Sequence, residues 1–310
     1  MKINNVVENE LMKQQIQTWI ESENYPEIPT NEKSPCSQKS NALKLQSDEN
    51  RLSNPVRLCP SLYVDIAASL VETTQHKFDS LMKFAMVGTE SFYGMLQLFR
   101  MVEKMEFCGD FEVRFYFGKS RGFKCTRTRR FDPFLVKMVT IAAPHAVEIE
   151  FHDDDEWCDI VFNSLAKNAE QKRLRISCLP KVTDLVKTVL ETMVQKGVCL
   201  ELGFLDDDVL KNMPPCHFES LELWKIVSLT KSNCTFRKLK LSEIIPNDFA
   251  CVPVDFHADY VEEIVIKQSE DVVPIEDLFP NLKRIFPKAD KLTVTIDVDF
   301  YDVKHTLFTS

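Results

Sequence analysis

The sequence predicts an α/β protein in which a short all-helical segment precedes a longer series of alternating strands and helices. Residues 60–107 repeat their apolar side chains with helical spacing, whereas short apolar-x-apolar segments recur at nearly even intervals beyond residue 109. The chain has 310 residues, of which 44% are hydrophobic, so it is long enough to bury a large core. We therefore expect a folded protein with a small helical part and a larger α/β part.

The overall composition excludes several classes of protein. A formal net charge of −9 disfavours nucleic-acid binding, because neutralising phosphates requires a surplus of lysine and arginine. No stretch approaches 18 uninterrupted apolar residues, so we predict no transmembrane helix and no membrane partner. Ten cysteines without a CxxC pair, and no secretory segment near Met1, favour reduced thiols in the cytoplasm or nucleus.

Residues 1–54 are predicted to be an amphipathic helix followed by a disordered linker. Apolar side chains form one helical stripe within residues 3–22, although a short lone helix is marginal and the stripe could be incidental. Residues 24–54 are polar and rich in proline, serine and asparagine, a composition that cannot compensate for the entropy lost on ordering.

Residues 55–108 are predicted to form a three-helix module. Leu62, Ile66 and Leu70 share one helical face in "CPSLYVDIAASLV". Two further stripes follow, and their members are Phe78, Leu81, Met82 and Ala85, then Phe92, Met95, Leu96 and Phe99.

Residues 109–310 are predicted to alternate between strand and helix. The spacing changes to two in "FEVRFYF", which indicates a strand, and Asp132 with Pro133 is typical of a helix start. "HAVEIEF" and "RLRIS" are predicted strands, and "VTDLVKTVLETMVQKG" is a predicted helix that ends before Gly197.

The predicted strands share a recurring pattern. Each contains an apolar-x-apolar pair, such as Leu221-x-Leu223. In three strands a further apolar residue stands three positions before that pair, as in Phe218-x-x-Leu221-x-Leu223, and this resembles the LxxLxL frame of leucine-rich repeats. We therefore predict an irregular leucine-rich-repeat-like solenoid of parallel strands and helices. An ordinary doubly wound α/β domain would show the same alternation. The first residue of each apolar-x-apolar pair is called an anchor here, and the anchors are Ile149, Leu174, Leu200, Leu221, Leu239, Ile264 and Leu292.

A basic segment at residues 109–131 is a weak candidate for binding a partner. It carries seven basic and two acidic side chains, a local charge of +5. Such a patch on an acidic protein could bind a phosphorylated or acidic partner segment, or it could be a solvated loop. The candidate residues are Arg121, Lys124, Arg127, Arg129 and Arg130.

No motif in the sequence predicts catalysis, a cofactor or a metal site. The six histidines lie far apart and have no nucleophile motif beside them. The acidic run "FHDDDEWCD" offers oxygen ligands, but runs of charge are usually solvated turns. We therefore predict a protein that is not an enzyme. A metal-dependent α/β enzyme that uses Asp153, Asp155 and Glu156 is the least favoured alternative.

Residues 54–96 resemble a divergent F-box. A proline precedes Leu62 and Ile66, a polar break follows, and Leu81, Phe84 and an aromatic pair at Phe92 and Tyr93 complete the pattern. The order of parts and the loose repeats rich in cysteine and phenylalanine look like nematode F-box proteins. Thr89–Ser91 stands where that family has a basic pair.

The resemblance implies an adaptor of the ubiquitin-conjugation pathway. In F-box proteins the module of about 45 residues binds a Skp-type adaptor in a cullin (SCF) ubiquitin ligase, and the following repeat domain binds the protein substrate. The alternatives are a protein–protein interaction scaffold without a ligase role, in which the module only caps the solenoid, and the enzyme named above. The implied adaptor-binding residues are Pro60, Leu62, Ile66, Leu81, Phe84 and Phe92.

Overall fold

The computed structural model describes residues 58–73, 77–109, 112–118, 121–126, 133–152, 155–168, 171–242, 246–268, 275–298 and 301–308. The chain divides into two compact units, of which the first ends at Phe99 and the second begins at Arg100. The helix and linker predicted for residues 1–54 lie outside the described residues.

The described residues of the first unit form three helices. Helices α1 and α3 approach closely at Gly94, where an added Cβ atom would lie 2.7 Å from Tyr63 Cβ and 2.9 Å from its carbonyl carbon. Tyr63 also packs its ring against Phe84, with the ring centroids 6.5 Å apart. The helices are α1 (Pro60–Thr73), α2 (Lys77–Ala85) and α3 (Thr89–Arg100).

The second unit is built on one sheet of eleven strands in the order β11-β10-β9-β8-β7-β6-β5-β4-β1-β2-β3. The strands from β4 to β10 are parallel, and from β5 onward each lies beside the strand that precedes it in the chain. Strand β1 pairs in parallel with β4, while β2, β3 and β11 add antiparallel strands at the two ends. Their bounds are β1 (Lys104–Cys108), β2 (Glu112–Phe117), β3 (Arg121–Thr126), β4 (Glu148–His152), β5 (Arg173–Ser177), β6 (Cys199–Gly203), β7 (His217–Leu223), β8 (Thr235–Leu241), β9 (Glu263–Gln268), β10 (Lys291–Val298) and β11 (Tyr301–Phe308).

Helices and short 3-10 turns connect the parallel strands. Because successive strands advance in one direction, crossovers of a single hand place their helices on the same face of the sheet. Helix α6 shows how the sequence sets its ends: the Oγ1 atom of Thr183 accepts a hydrogen bond from the Val186 amide, and Gly197 follows the helix with a φ of 76°. The helices of this unit are α4 (Pro133–Ala142), α5 (Asp155–Asn168), α6 (Asp184–Gln195), α7 (Asp207–Asn212) and α8 (Ile275–Ile285), with 3-10 turns at Ile226–Lys231 and Pro246–Cys251.

The apolar face of the sheet forms the core of the second unit. All seven anchors lie in strands and are buried, as the alternating pattern predicts. Four of the six pairings between neighbouring anchor strands align the anchors as expected, for example Leu221 with Leu239. Two pairings are shifted by two residues, since Ile149 pairs with Ile176 and Leu221 pairs with Leu202.

Three strands differ from the sequence prediction. Residues 104–108, which continue the helical spacing of α3, form β1 instead. The predicted basic loop contains β3, which pairs with β2 in an antiparallel hairpin. The chain also continues beyond β10 into β11, which the repeat pattern does not predict.

Candidate functional site

The face of the sheet opposite the core is covered with charged side chains, and we call it the polar face. These side chains alternate along each strand with the buried apolar ones. Basic and acidic strands lie side by side, so most of the charges pair across the sheet. The polar face comprises Lys104, Glu106, Glu148, Glu150, Arg173, Arg175, Glu201, Ser220, Glu222, Lys238, Lys240 and Glu263.

Three ion pairs on this face reach over an intervening strand, and the longest of them joins Lys267 on β9 to Glu222 on β7 at 3.7 Å. Arg175 Nη2 on β5 lies 2.5 Å from Glu222 Oε2 on β7. Between them on β6 is Gly203, where an added Cβ would meet Ser177 Oγ at 2.8 Å and Arg175 Nη2 at 3.5 Å. Similarly, Lys240 on β8 bonds Glu201 on β6 at 3.0 Å, past the small side chain of Ser220 on β7. Small residues on the middle strand thus leave room for the bridges.

The pairing keeps buried carboxylates ionised. Burial alone would raise the pKa of Glu201, but hydrogen bonds from Lys240 and Arg173 hold that pKa below its ordinary value. Burial acts in the same direction on Glu263, and bonds from Lys238 and Lys291 again lower its pKa. Lys104 is desolvated, which opposes its charge, yet its bonds to Glu150, Glu106 and Glu148 raise its pKa overall. The polar face is therefore a network of charges whose partners are largely within the sheet.

A recurring turn follows three of the parallel strands at their carboxyl ends. Gly109, Cys178 and Phe204 come directly after a strand and have φ values of 65°, 53° and 53°. Each donates its backbone N–H to a carbonyl on the adjacent strand, at distances of 2.8–3.1 Å. Glycine adopts this left-handed conformation without strain, whereas cysteine and phenylalanine do not. The turn thus places two non-glycine side chains at the carboxyl edge of the sheet.

One of these side chains supports an exposed tryptophan. The ring of Phe204 lies 4.5 Å from the ring of Trp224, centroid to centroid. The side chain of Trp224 is 60% exposed, which is high for the residue type most enriched at binding hot spots. The pair is a rigid aromatic feature beside the charged network.

The other turn residue, Cys178, lies next to two potential metal ligands. Ligand atoms of Glu150, His152 and Cys178 are all within 4.8 Å of one another. His152 Nε2 is 3.2 Å from Glu150 Oε1, and Lys104 Nζ is 2.8 Å from the other carboxylate oxygen. The group was not predicted from the sequence, because it depends on the left-handed turn that places Cys178 beside strand β4.

In the first unit, the six residues implied by the F-box resemblance have different environments. Pro60 and Leu62 are exposed, with 40% of Leu62 accessible. Ile66 and Phe84 are half-buried. Leu81 and Phe92 are buried. Leu58 is a further exposed leucine close to Leu62 that the resemblance did not single out.

Most of the candidate basic residues lie outside the described part of the chain. Arg127, Arg129 and Arg130 are among the residues not described, and only the backbone of Arg121 is described, in β3. Lys124 is half exposed and forms an ion pair with Glu112 on β2. Of the acidic run, Asp153 lies outside the described residues, Asp155 begins α5, and Glu156 is half-buried.

The ion pairs between the strands of the polar face were not predicted, although the sequence alternates basic and acidic strands. "RLRIS" of β5 places basic residues between apolar ones, "LELG" of β6 and "ESLEL" of β7 place acidic ones, and "RKLKL" of β8 is basic again. Opposite charges on neighbouring strands stabilise a sheet when they face each other. The strand order was needed to recognise which strands are neighbours.

Among the described residues, none of the helices is both long and apolar enough to cross a membrane. The chain matches no family model, no curated protein and no solved structure at a significant level.

Proposed function

We propose that the chain is a substrate-recognition adaptor of a cullin-type ubiquitin ligase. In this proposal the three-helix unit binds a Skp-type adaptor and the α/β unit binds a protein substrate. The observation that carries it is the order and separateness of the parts: a compact helical unit, ending at Phe99, precedes a compact unit with one long sheet. The same order of parts is found in F-box proteins.

Some apolar side chains of the helical unit are exposed and others are buried, which supports assigning the first group to partner binding and the second to folding. Leu58, Pro60 and Leu62 are at the surface at the start of α1, where a partner could cover them. Leu81 and Phe92 are buried in the unit, so they serve folding. We assign the adaptor surface to the first group only.

For the α/β unit we propose the finer description of an irregular leucine-rich-repeat-like array. Its support is that consecutive strands from β4 to β10 are neighbours and that four of six anchor pairings are in the expected register. Repeat arrays use an extended face to bind proteins. The polar face and the exposed Trp224 are the corresponding surface here.

The second candidate is an interaction scaffold without a ligase role, in which the helical unit binds no Skp-type adaptor. The same exposed Trp224 and polar face favour it equally, since both would serve substrate binding in either protein. The two candidates differ in one property, which is binding of a Skp-type adaptor by the helical unit.

The test is co-purification of the full chain with a panel of Skp-type adaptors. We expect a stoichiometric complex that Leu62→Asp disrupts. The matched control is Ser61→Asp, which adds the same charge to the same first turn of α1, where acids favour the helix dipole, but removes no apolar surface. Circular dichroism checks that both variants fold. A folded wild-type chain that binds none of the adaptors would contradict the ligase role and favour the scaffold.

A further inference from the structure

The three side chains of Glu150, His152 and Cys178 have a geometry that calls for an explanation beyond sheet pairing. Glu150 and His152 are two residues apart on β4 and therefore point to the same polar face. Cys178 follows β5 directly, and strand alternation would direct its side chain towards the core, like that of Ile176. Its Sγ atom instead lies within 4.8 Å of ligand atoms of the other two residues.

The backbone of Cys178 accounts for this placement. Its φ of 53° is in the left-handed region, which turns the side chain away from the direction that strand alternation predicts. The same turn after β1 contains Gly109, which adopts the conformation freely. A cysteine at this position thus carries a backbone strain that glycine would avoid, and it gains a thiol next to a carboxylate and an imidazole. Strained non-glycine residues cluster at functional sites.

We propose that Glu150, His152 and Cys178 bind a zinc ion through one oxygen, one nitrogen and one sulfur atom. These three ligand types are those that zinc takes in proteins, and a thiolate with an imidazole disfavours magnesium and calcium. Zinc bond lengths of about 2.0–2.3 Å set tetrahedral ligands about 3.3–3.8 Å apart. The ligand atoms, all within 4.8 Å of one another, need to close by only about 1 Å, which side-chain rotation supplies.

The surroundings hold two of the ligands ready. Lys104 donates to Oε2 of Glu150, which leaves Oε1 turned towards His152. Such outer contacts fix the orientation of metal ligands. The positive charge of Lys104 is shared among Glu150, Glu106 and Glu148. The carboxyl edge of parallel strands is also the usual location of ligand sites in α/β sheets.

Three protein ligands leave the fourth coordination position open. Cys108 is the register partner of His152 on the neighbouring strand β1 and lies on the polar face, but it is not one of the three converging groups. We assign the fourth position to water or to a group from a bound partner, as in zinc sites that act chemically or bridge to a ligand. The zinc site does not depend on the ligase proposal.

The experiment is a titration of the metal-free, reduced full chain with Co²⁺, which replaces zinc and reports its ligands by absorption. We expect one equivalent to give a thiolate-to-cobalt charge-transfer band and the intense visible bands of a tetrahedral site. Zinc should then displace the cobalt. The absence of a charge-transfer band in the folded wild-type chain would overturn the proposal.

The decisive variant is Cys178→Gly, because glycine suits the left-handed backbone and the variant should fold at least as well as the wild type. We expect it to lose the charge-transfer band, and His152→Gln to weaken binding by at least about 100-fold, beyond the 10–100-fold typical of outer contacts. Cys199→Ser, which removes another half-buried thiol, should change nothing. A band that persists in Cys178→Gly would overturn the site, and a loss of affinity in Cys108→Ser as large as in His152→Gln would overturn the open fourth position.

Discussion

Arg175 and Glu222 are joined across an entire strand: the guanidinium of β5 meets the carboxylate of β7 at 2.5 Å, directly above Gly203 of β6. The side chain of Glu222 is only 3% accessible and that of Arg175 is 29% accessible. A hydrogen bond between charged, largely buried groups contributes more than an exposed one. This pair links three strands of the sheet, and it can form only because the middle strand has no side chain at that point.

Glu222→Gln should destabilise the second unit by about 2–3 kcal/mol, since it replaces a buried carboxylate that faces both Arg175 and Lys267 by a neutral amide. The matched control is Glu219→Gln, which breaks the more exposed pair of Glu219 with Arg237 and should cost about 0–1 kcal/mol. Urea unfolding followed by circular dichroism measures both. Equal costs for the two variants would show that burial of the bridge adds nothing to its contribution.

Gly203→Ala should also destabilise the protein, by about 1–3 kcal/mol, because its Cβ would lie 2.8 Å from Ser177 Oγ. If this clash is the cause, the same substitution should cost less in a Ser177→Ala background. The two single variants and the double variant form a cycle that can be measured by denaturant unfolding. Costs that simply add would contradict the proposed clash.

Gly94→Ala should destabilise the helical unit, because the new methyl group would meet the backbone carbonyl carbon of Tyr63 at 2.9 Å, and a backbone cannot rotate away. The matched control is Gly88→Ala, for which the nearest atom is at an ordinary contact distance of 3.8 Å. We expect a cost of about 1–3 kcal/mol for the first variant and a clearly smaller change for the second. Thermal unfolding of both variants tests this, and similar melting temperatures would contradict it.

Stability should decrease in mild acid. Folding lowers the pKa values of Glu106, Glu112, Glu201 and Glu263 below the ordinary 4.5. A carboxylate with a depressed folded-state pKa contributes stability above its unfolded pKa, and this contribution is lost as the pH falls through the folded pKa. The melting temperature should therefore decrease as the pH is lowered below about 4.5.

Melting curves from about pH 6 to about pH 3 measure this loss. Glu201→Gln removes one of the titrating groups. It should therefore lower the melting temperature near neutral pH and make the decrease of the melting temperature in acid, called the acid limb, less steep. An acid limb of unchanged steepness would show that Glu201 does not contribute to it.

Trp224→Ala should reduce substrate binding without lowering the melting temperature. The side chain is 60% exposed, so little core packing is lost, whereas an exposed tryptophan on a rigid support can dominate an interface. The comparison variant is Trp157→Ala, whose buried ring lies 5.4 Å from the ring of Phe107, centroid to centroid, and whose loss should lower the melting temperature strongly. The proteins that the folded wild type and the folded Trp224→Ala variant capture from cell extract can be compared by mass spectrometry. An unchanged set of captured proteins for Trp224→Ala would contradict its role in substrate binding.

The sequence predicts the alternation of the α/β unit well because only one face of each strand is apolar, while the other carries polar and charged side chains. Ile264 and Leu292 illustrate this, since both are anchors and both are buried in the predicted register. The pattern cannot distinguish shifts of two residues, which keep every side chain on its face. That is why Ile149 pairs with Ile176 and not with the expected Leu174.

Other differences have equally local causes. Strand β1 is only five residues long. Its Met105 and Phe107 are spaced as in a strand, but this short signal directly follows a long run of helical spacing, which the prediction extended to residue 107. The group of Glu150, His152 and Cys178 could not be predicted because it depends on the left-handed turn at Cys178, a conformation typical of glycine. The six residues implied by the F-box resemblance were predicted as one set, but the structure separates exposed Leu62 from buried Leu81.

The neighbour-by-neighbour order of the sheet has a mechanical consequence. Apart from the pairing of β1 with β4, every strand pairs only with strands adjacent to it in the chain. A force applied at the carboxyl end would therefore meet β11 first, then β10, then β9, and each step would break the hydrogen bonds of a single strand pair. The α/β unit should therefore lengthen under tension in a series of small extensions, each of which corresponds to the loss of one strand from the sheet.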